Sequence, residues 1–273
     1  MKYLRINRKI KNSILKLSYL IVLLFLSECN NNPVNNPESG LIIKKINTSP
    51  IDYTEYSYKG DLLIGKEIVT RGKTSYSINL IYDSVSRLIK QEEHSSDAGV
   101  PVDSYTSYEY SGSNLLEKTY FYVKTADSSY QLNTYTIYEY QNGKLTWYEF
   151  YNGQTGETVS YDSLIYDGNG NIIRHVRFDN GNNLILSETF EYDNKANPLG
   201  RDLSLLSVAR LSKNNVTKNV FTYYNTNPPG FGSYLNSYNY NNEGYPVNCS
   251  SVYQISWKGV TSKDTVDYQY EYY

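Results

Sequence analysis

Hydrophobic and polar positions alternate along most of this chain. In TYTIYEY, Thr134 to Tyr140, one face receives Tyr135, Ile137 and Glu139, and the other receives Thr134, Thr136, Tyr138 and Tyr140. A period of two in β-branched and aromatic residues predicts strand, because successive side chains leave a pleated backbone on opposite faces. Such runs recur from Ile42 to the C-terminus and are cut by short clusters of Gly, Asn, Asp and Ser.

The clusters recur in a fixed frame. YKGDLL at Tyr58, YDSVSRLI at Tyr82, YSGSNLL at Tyr110, YQNGKL at Tyr140, YDGNGNII at Tyr166, YDNKANPL at Tyr192 and YNNEGYPV at Tyr240 share one plan. Each has a closing aromatic, four or five turn formers, and an apolar pair that opens the next run. The spacings are 24, 28, 30, 26, 26 and 48, and the last is read as two units with a degraded anchor near FTYYNTN. Self-similarity at a fixed period marks a repeat architecture. A second turn falls inside each unit: Arg71 to Lys73, Ser96 to Gly99, Asn152-Gly153 and Asn180-Gly181. Asn-Gly between alternating runs predicts a hairpin, with positive φ expected at both turn residues.

Each unit is thus two strands, about twelve in all up to Asn194 and about four from Asn215 onward. The expectation is an all-β chain: a long antiparallel meander of about 14–16 strands built from hairpin repeats. NPLGRDLSLLSVARLSKNN, residues 197–214, departs from the alternation. Leu199, Leu203, Leu206 and Leu211 have roughly helical spacing after Pro198, which predicts a short helical or loop insert that covers a sheet face or plugs an interior. The domain expectation is a single β-repeat domain over 41–273.

Composition adds one fact: 30 of the 32 tyrosines lie from Tyr53 onward. Tyr joins a large apolar body to a hydroxyl that can stay wet, so cross-strand Tyr ladders are its simplest use here. DYQYEYY reads as a closing strand in which Asp267, Gln269 and Glu271 share one face. That face is too polar for the lipid-facing side of a membrane barrel.

The first residues follow a different pattern. Lys2, Arg5, Arg8, Lys9, Lys11 and Lys16 precede an apolar run from Leu17 to Leu26. The run is too short for a bilayer span of about 20 residues and matches a signal-peptide core, so 1–28 is assigned as a signal peptide. LSEC, Leu26 to Cys29, resembles the lipobox of bacterial lipoproteins, with Glu28 where a small residue is usual, and implies lipidation at Cys29. Asn- and Pro-rich residues 29–40 form a flexible tether. Asn30 behind the Cys favours the outer membrane, on its periplasmic or cell-surface face.

Loss of 1–28 removes 6 basic residues and 1 acidic residue from totals of 26 and 28, leaving a net charge of −7. Nucleic acid is excluded as a partner, since phosphate neutralisation needs a basic face. Cys249 is the one cysteine besides Cys29, so an intramolecular disulfide framework is excluded. It is read as a small, half-buried strand residue.

The recurring Tyr-acid-Tyr and Gly-containing turn pattern resembles the YD-repeat family. More narrowly, it resembles Bacteroidetes lipoproteins of unknown function with a porin-like fold, above all from Ser212 to Val247. The resemblance implies a meander closed or nearly closed into a porin-like barrel. It carries no catalytic residue and no cofactor.

Candidate chemistry is sparse. Asp167, Asn169 and Asn171 occupy positions 1, 3 and 5 of a calcium-loop pattern, but Ile172 and Phe178 stand where Gly and Glu are required, so DGNGN is read as a turn. His94 and His175 are the only histidines, and His175, alternating with Arg174 and Arg177, is read as solvated or partner-facing. Glu109, Glu139 and Glu191 occupy one repeat position between two aromatics, which suits a structural role. Catalytic and metal residues are expected to be none, and the ligand-binding residues are unknown from sequence. The expected function is a non-enzymatic binding module for a glycan, peptide or small ligand, attached to the membrane through its lipid anchor only. A structural or assembly scaffold contacting envelope proteins is the alternative, and a glycosidase-type enzyme the third.

Overall fold

The computed structural model describes residues 42–95, 103–201 and 211–273. The proposed signal peptide, Cys29, the tether, the Ser96–Gly99 turn and the middle of the Leu-rich insert lie outside these residues. The chain forms β1 (Ile43–Ser49), β2 (Asp52–Lys59), β3 (Leu62–Thr70), β4 (Lys73–Tyr82), β5 (Leu88–Ser95) and β6 (Asp103–Tyr110). It continues with β7 (Leu116–Lys124), β8 (Tyr130–Gln141), β9 (Lys144–Asn152), β10 (Thr158–Tyr166), β11 (Ile172–Asp179) and β12 (Leu184–Ala196). A 3-10 turn at Pro198–Arg201 follows, then β13 (Asn214–Tyr223), β14 (Gly230–Tyr240), β15 (Pro246–Trp257) and β16 (Val260–Tyr272).

Each strand pairs with the next, and β16 returns to pair with β1, so the meander closes into a barrel of 16 antiparallel strands. Twelve strands precede the insert and four follow it, as the turn count predicts. Closure uses the last residues of the chain: Ile43 pairs with Tyr272, and the Tyr273 amide donates to the Ile42 carbonyl at 3.0 Å. Among the described strands no sheet edge is left open.

In an up-and-down barrel all the Tyr-anchored turns fall at one end, called here the tyrosine rim. Four of them share a local design. Asp83, Ser111, Asp167 and Asn241 each close a five-residue loop, in which the backbone N–H bonds the carbonyl four residues on. The fourth loop residue takes positive φ, at Ser86 (64°), Asn114 (62°), Gly170 (92°) and Gly244 (86°). This is a type I turn followed by a left-handed bulge residue. In three of these loops the Asp or Asn side chain accepts the amides two and four residues on, as Asp167 Oδ1 does from Asn169 (2.9 Å) and Asn171 (2.8 Å). DGNGN is therefore a turn held by its own aspartate.

Two expectations about turns need correction. Asn152-Gly153 and Asn180-Gly181 do mark hairpins, but neither pair takes positive φ; that falls to Gly156 (70°) and Asn182 (63°). These loops are longer than two residues, so the left-handed residue comes later. The paired positive angles sit instead at Arg71-Gly72, Asn142-Gly143 and Lys258-Gly259. The interval from Tyr192 to Tyr240 is also one unit, not two. It holds a single hairpin, β13 with β14, lengthened by the insert, and FTYYNTN leads into the turn at the opposite rim.

The interior near the tyrosine rim is packed. One residue of each apolar pair turns inward: Leu63, Leu88, Leu116, Leu145 and Ile172 are at most 4% exposed. They form one cluster with Tyr108, Tyr138 and Tyr148, and the anchor tyrosines Tyr58, Tyr82, Tyr110, Tyr140 and Tyr166 pack against it. Leu199 and Leu211, at the two ends of the insert, pack on the same cluster. The hydroxyl of Ser212, fully buried, accepts from the Ile172 amide at 3.1 Å. The described ends of the insert thus plug the interior. Cys249 is buried, not half-buried, because it faces inward beside Tyr238 and Tyr268.

Strand alternation puts many of the charges outside. Lys45 lies between Glu271 and Glu55, and Glu55 lies opposite Glu67. Asp267, Gln269 and Glu271 are exposed on β16, while Tyr268, Tyr270 and Tyr272 turn inward. Among the described residues the wall shows no continuous apolar band of the kind a membrane barrel turns to lipid.

Candidate functional site

The same alternation places an aromatic sector on the outer wall of β6 to β11. Tyr105 stacks on Tyr122 (4.5 Å between centroids), and Tyr130 meets Tyr105 edge-on at 4.9 Å. Tyr135 stacks on Tyr151 at 4.7 Å, nearly parallel, with Tyr120 on its other side at 6.0 Å. Tyr161 stacks between Trp147 (4.4 Å) and Phe178 (5.1 Å). The register explains these contacts, since Tyr105–Tyr122, Tyr120–Tyr135, Tyr135–Tyr151 and Tyr161–Phe178 are directly opposed in the ladders. Nine rings in three rows thus stand on six adjacent strands, each half-buried except Tyr130, which is 44% exposed. Offset and edge-on pairs at these separations contribute about 0.5–1.5 kcal/mol each beyond burial.

Polar groups frame the rings. Tyr120 donates to Glu109 (3.1 Å), Tyr151 to Glu149 (2.8 Å) and Tyr161 to Asn182 (2.6 Å). Thr158 donates to the second oxygen of Glu149 at 2.8 Å, and Lys90 lies over Tyr105 at 4.5 Å. Burial and the Glu149 carboxylate push the Tyr151 hydroxyl up to about 12; burial and Glu109 raise that of Tyr120. These hydroxyls stay donors at physiological pH. Glu109, Glu139 and Glu191 all face outward and exposed, with Lys218 on Glu191 at 2.6 Å. The repeat position places them, as expected, but two of the three also stand among the rings of the sector.

A second group lies inside the wall. His175 is only 5% exposed, which overturns its reading as solvated or partner-facing. Its Nε2 bonds Asp162, and its Nδ1 bonds Glu188 at 2.8 Å. Arg177 Nε donates to both Asp162 oxygens at 3.0 and 2.9 Å, and Asn219 reaches Glu188 at 3.4 Å. Sequence reasoning missed this group because its ionic members come from three strands and Asn219 from a fourth, and one-residue parity decides whether HVR faces in or out. Burial alone pushes the His175 ring down, but its bonds to Asp162 and Glu188 outweigh that and raise it to about 9. Both ring nitrogens are committed, so the imidazole has no nitrogen to offer as a base. The carboxylates sit on opposite sides of the ring and do not converge on a common point. Among the described residues, no group of three or more His, Cys, Asp and Glu side chains is placed to hold a metal ion.

The other histidine, His94, is exposed on the outer wall, where its Nδ1 meets Asp103 at 2.5 Å. Beside it, a pocket lined by Thr74, Tyr76, His94 and Asp103 measures about 170 Å³. That is below the roughly 300–1,000 Å³ usual for small-molecule sites.

The fold and these surfaces define a class: an all-β, closed, 16-stranded antiparallel barrel with an aromatic outer sector and an ionic cluster within. No family model and no curated protein matches the sequence. Solved structures similar to it include a porin-like protein from Bacteroides uniformis (13% identity, 85% of this chain, 98% of that one, TM-score 0.43). A porin-like protein from Bacteroides vulgatus (10%, 85% and 99%, TM-score 0.31) and a protein of unknown function from Bacteroides fragilis (15%, 40% and 86%, TM-score 0.32) are also similar. The architecture rests on the strand order above.

Proposed function

We propose that this protein is an exported, lipid-anchored binding barrel that holds an extended glycan chain against the aromatic outer wall of β6 to β11. The observation that carries this reading is the gathering of nine aromatic rings in three contacting rows on one sector of the outer wall. Rings flanked by carboxylate, amide and hydroxyl groups suit sugars, which present apolar C–H faces and hydroxyl edges. Among the described residues the wall has no basic cluster, which suits a neutral chain better than an anionic one. Cys29 and the 29–40 tether attach the barrel to the outer membrane, and its outer wall is then open to a polymer in the envelope or at the surface. No catalytic step is part of this reading.

A glycan array combined with thermal shift on the barrel, residues 40 to 273, tests it. One glycan class should bind and raise the melting temperature. Tyr135→Ser or Trp147→Ala should weaken that binding at least about tenfold, or ~1.4 kcal/mol. Binding that survives both substitutions would move the site elsewhere. Silence across the array would favour the alternative, an envelope scaffold packing on the same wall.

A further inference from the structure

Asp162 and Tyr161 are neighbours on β10, and Arg177 and Phe178 are neighbours on β11. The register opposes Asp162 to Arg177 and Tyr161 to Phe178, so two successive rungs of one ladder carry the inner ionic group and the outer stack. Side chains on successive residues leave opposite faces, so the two clusters share backbone without touching.

The inner group is balanced only while the imidazole is charged. Asp162 and Glu188 then face His175 and Arg177. Without the ring proton, two buried carboxylates face one guanidinium, and one oxygen loses its donor. An uncompensated buried charge is costly and draws side chains or water into a new arrangement. The remaining neighbours do not absorb the change. On β9, Tyr148 stacks against His175 at 6.5 Å. Tyr192 on β12, Tyr223 on β13 and Tyr234 on β14 feel Glu188, but burial raises all three hydroxyls, that of Tyr234 to about 12.

We propose that His175 is a proton-operated clamp: its imidazolium, held between Asp162 and Glu188 inside the barrel, fixes the rungs that carry the Trp147–Tyr161–Phe178 stack outside. Release of the ring proton loosens those rungs and misaligns the stack, so the outer aromatic wall responds to pH through a group it does not touch. This coupling holds whatever ligand the wall takes.

The test uses the whole barrel labelled with 5-fluorotryptophan, which reports on the two tryptophans, Trp147 and Trp257, separately. The 19F shift of each is followed from pH 6 to 10.5 beside the ring C–H resonances of His175, assigned with His94→Gln. The expected result is a Trp147 step whose midpoint matches that of His175, and no matching step at Trp257. Glu188→Gln should lower both midpoints together by about a pH unit or more, and His175→Gln should abolish the step. A His175 titration with an unmoved Trp147 would overturn the proposal. So would a Trp147 step that persists in His175→Gln, since tyrosine ionisation would then explain it. If His175→Gln fails to fold, the coincidence of midpoints in the unsubstituted protein and in Glu188→Gln decides alone.

Discussion

Tyr110 donates its hydroxyl to the main-chain carbonyl of Leu88 at 2.7 Å, tying the end of one hairpin to the turn of the hairpin before it. The same bond recurs around the rim, from Tyr82 to Leu63 (2.6 Å), Tyr192 to Ile172 (2.6 Å) and Tyr272 to Pro246 (2.7 Å). Each acceptor is the inward residue of the apolar pair that opens a unit. The repeat therefore encodes an inter-unit hydrogen bond: the aromatic supplies the donor, and the apolar pair presents the carbonyl.

Tyr110→Phe should cost about 1 kcal/mol, the usual net worth of such a bond, because the ring stays packed while the Leu88 carbonyl loses its partner. Tyr82→Phe and Tyr192→Phe should cost similar amounts, and distant members should add. Urea unfolding of the single and double variants measures this.

Asp167→Ala should destabilise the barrel by about 1 kcal/mol, because the Asn169 and Asn171 amides lose their acceptor. Asp167→Asn, which keeps an acceptor oxygen, should cost less. Millimolar Ca²⁺ should leave the melting temperature of the unsubstituted protein unchanged. A calcium-dependent rise abolished by Asp167→Ala would make DGNGN a metal loop.

Gly232 faces inward on β14 directly opposite Phe221, and a Cβ there would lie 2.4 Å from the Phe221 ring and 2.8 Å from the Gln254 carbonyl. Phe221 is 1% exposed and has no room to retreat. Gly232→Ala should therefore cost about 1–3 kcal/mol, the range for overpacking a tight core. Calorimetry checks it, with the open turn position Gly112→Ala as a control near zero.

Stability should fall on the alkaline side. The His175 ring is raised in the folded protein from about 6.5 to about 9, so the folded state holds its proton more tightly than the unfolded chain. That contribution is complete below pH 6.5 and is lost as pH rises through about 9. Its ceiling is roughly 3 kcal/mol at 1.36 kcal/mol per pH unit. The unfolding free energy measured between pH 6.5 and 9.5 should decline, and His175→Gln should flatten the slope in that interval.

Strand number and turn positions were legible because both are local. Alternation reports strand whatever surrounds it, and Asp, Asn and Gly report turns through their own hydrogen bonds and φ. The reading of the interval before Tyr240 as two units failed because spacing alone cannot separate an extra hairpin from an insertion. Closure needed the register of β1 against β16, more than 200 residues apart, which no local pattern carries.

The sequence by itself determined a chain of about 14–16 alternating runs, the turn positions between them, and the pairs of faces into which each run divides. Only the tertiary structure decided which face is inner, because that choice depends on the sign of curvature when the whole sheet closes. It turned Tyr135 outward onto a ladder and Tyr138 inward to the core. It also gathered Asp162, His175 and Glu188 from three strands into one buried group, since only neighbouring strands in fixed register bring side chains more than ten residues apart within hydrogen-bond reach.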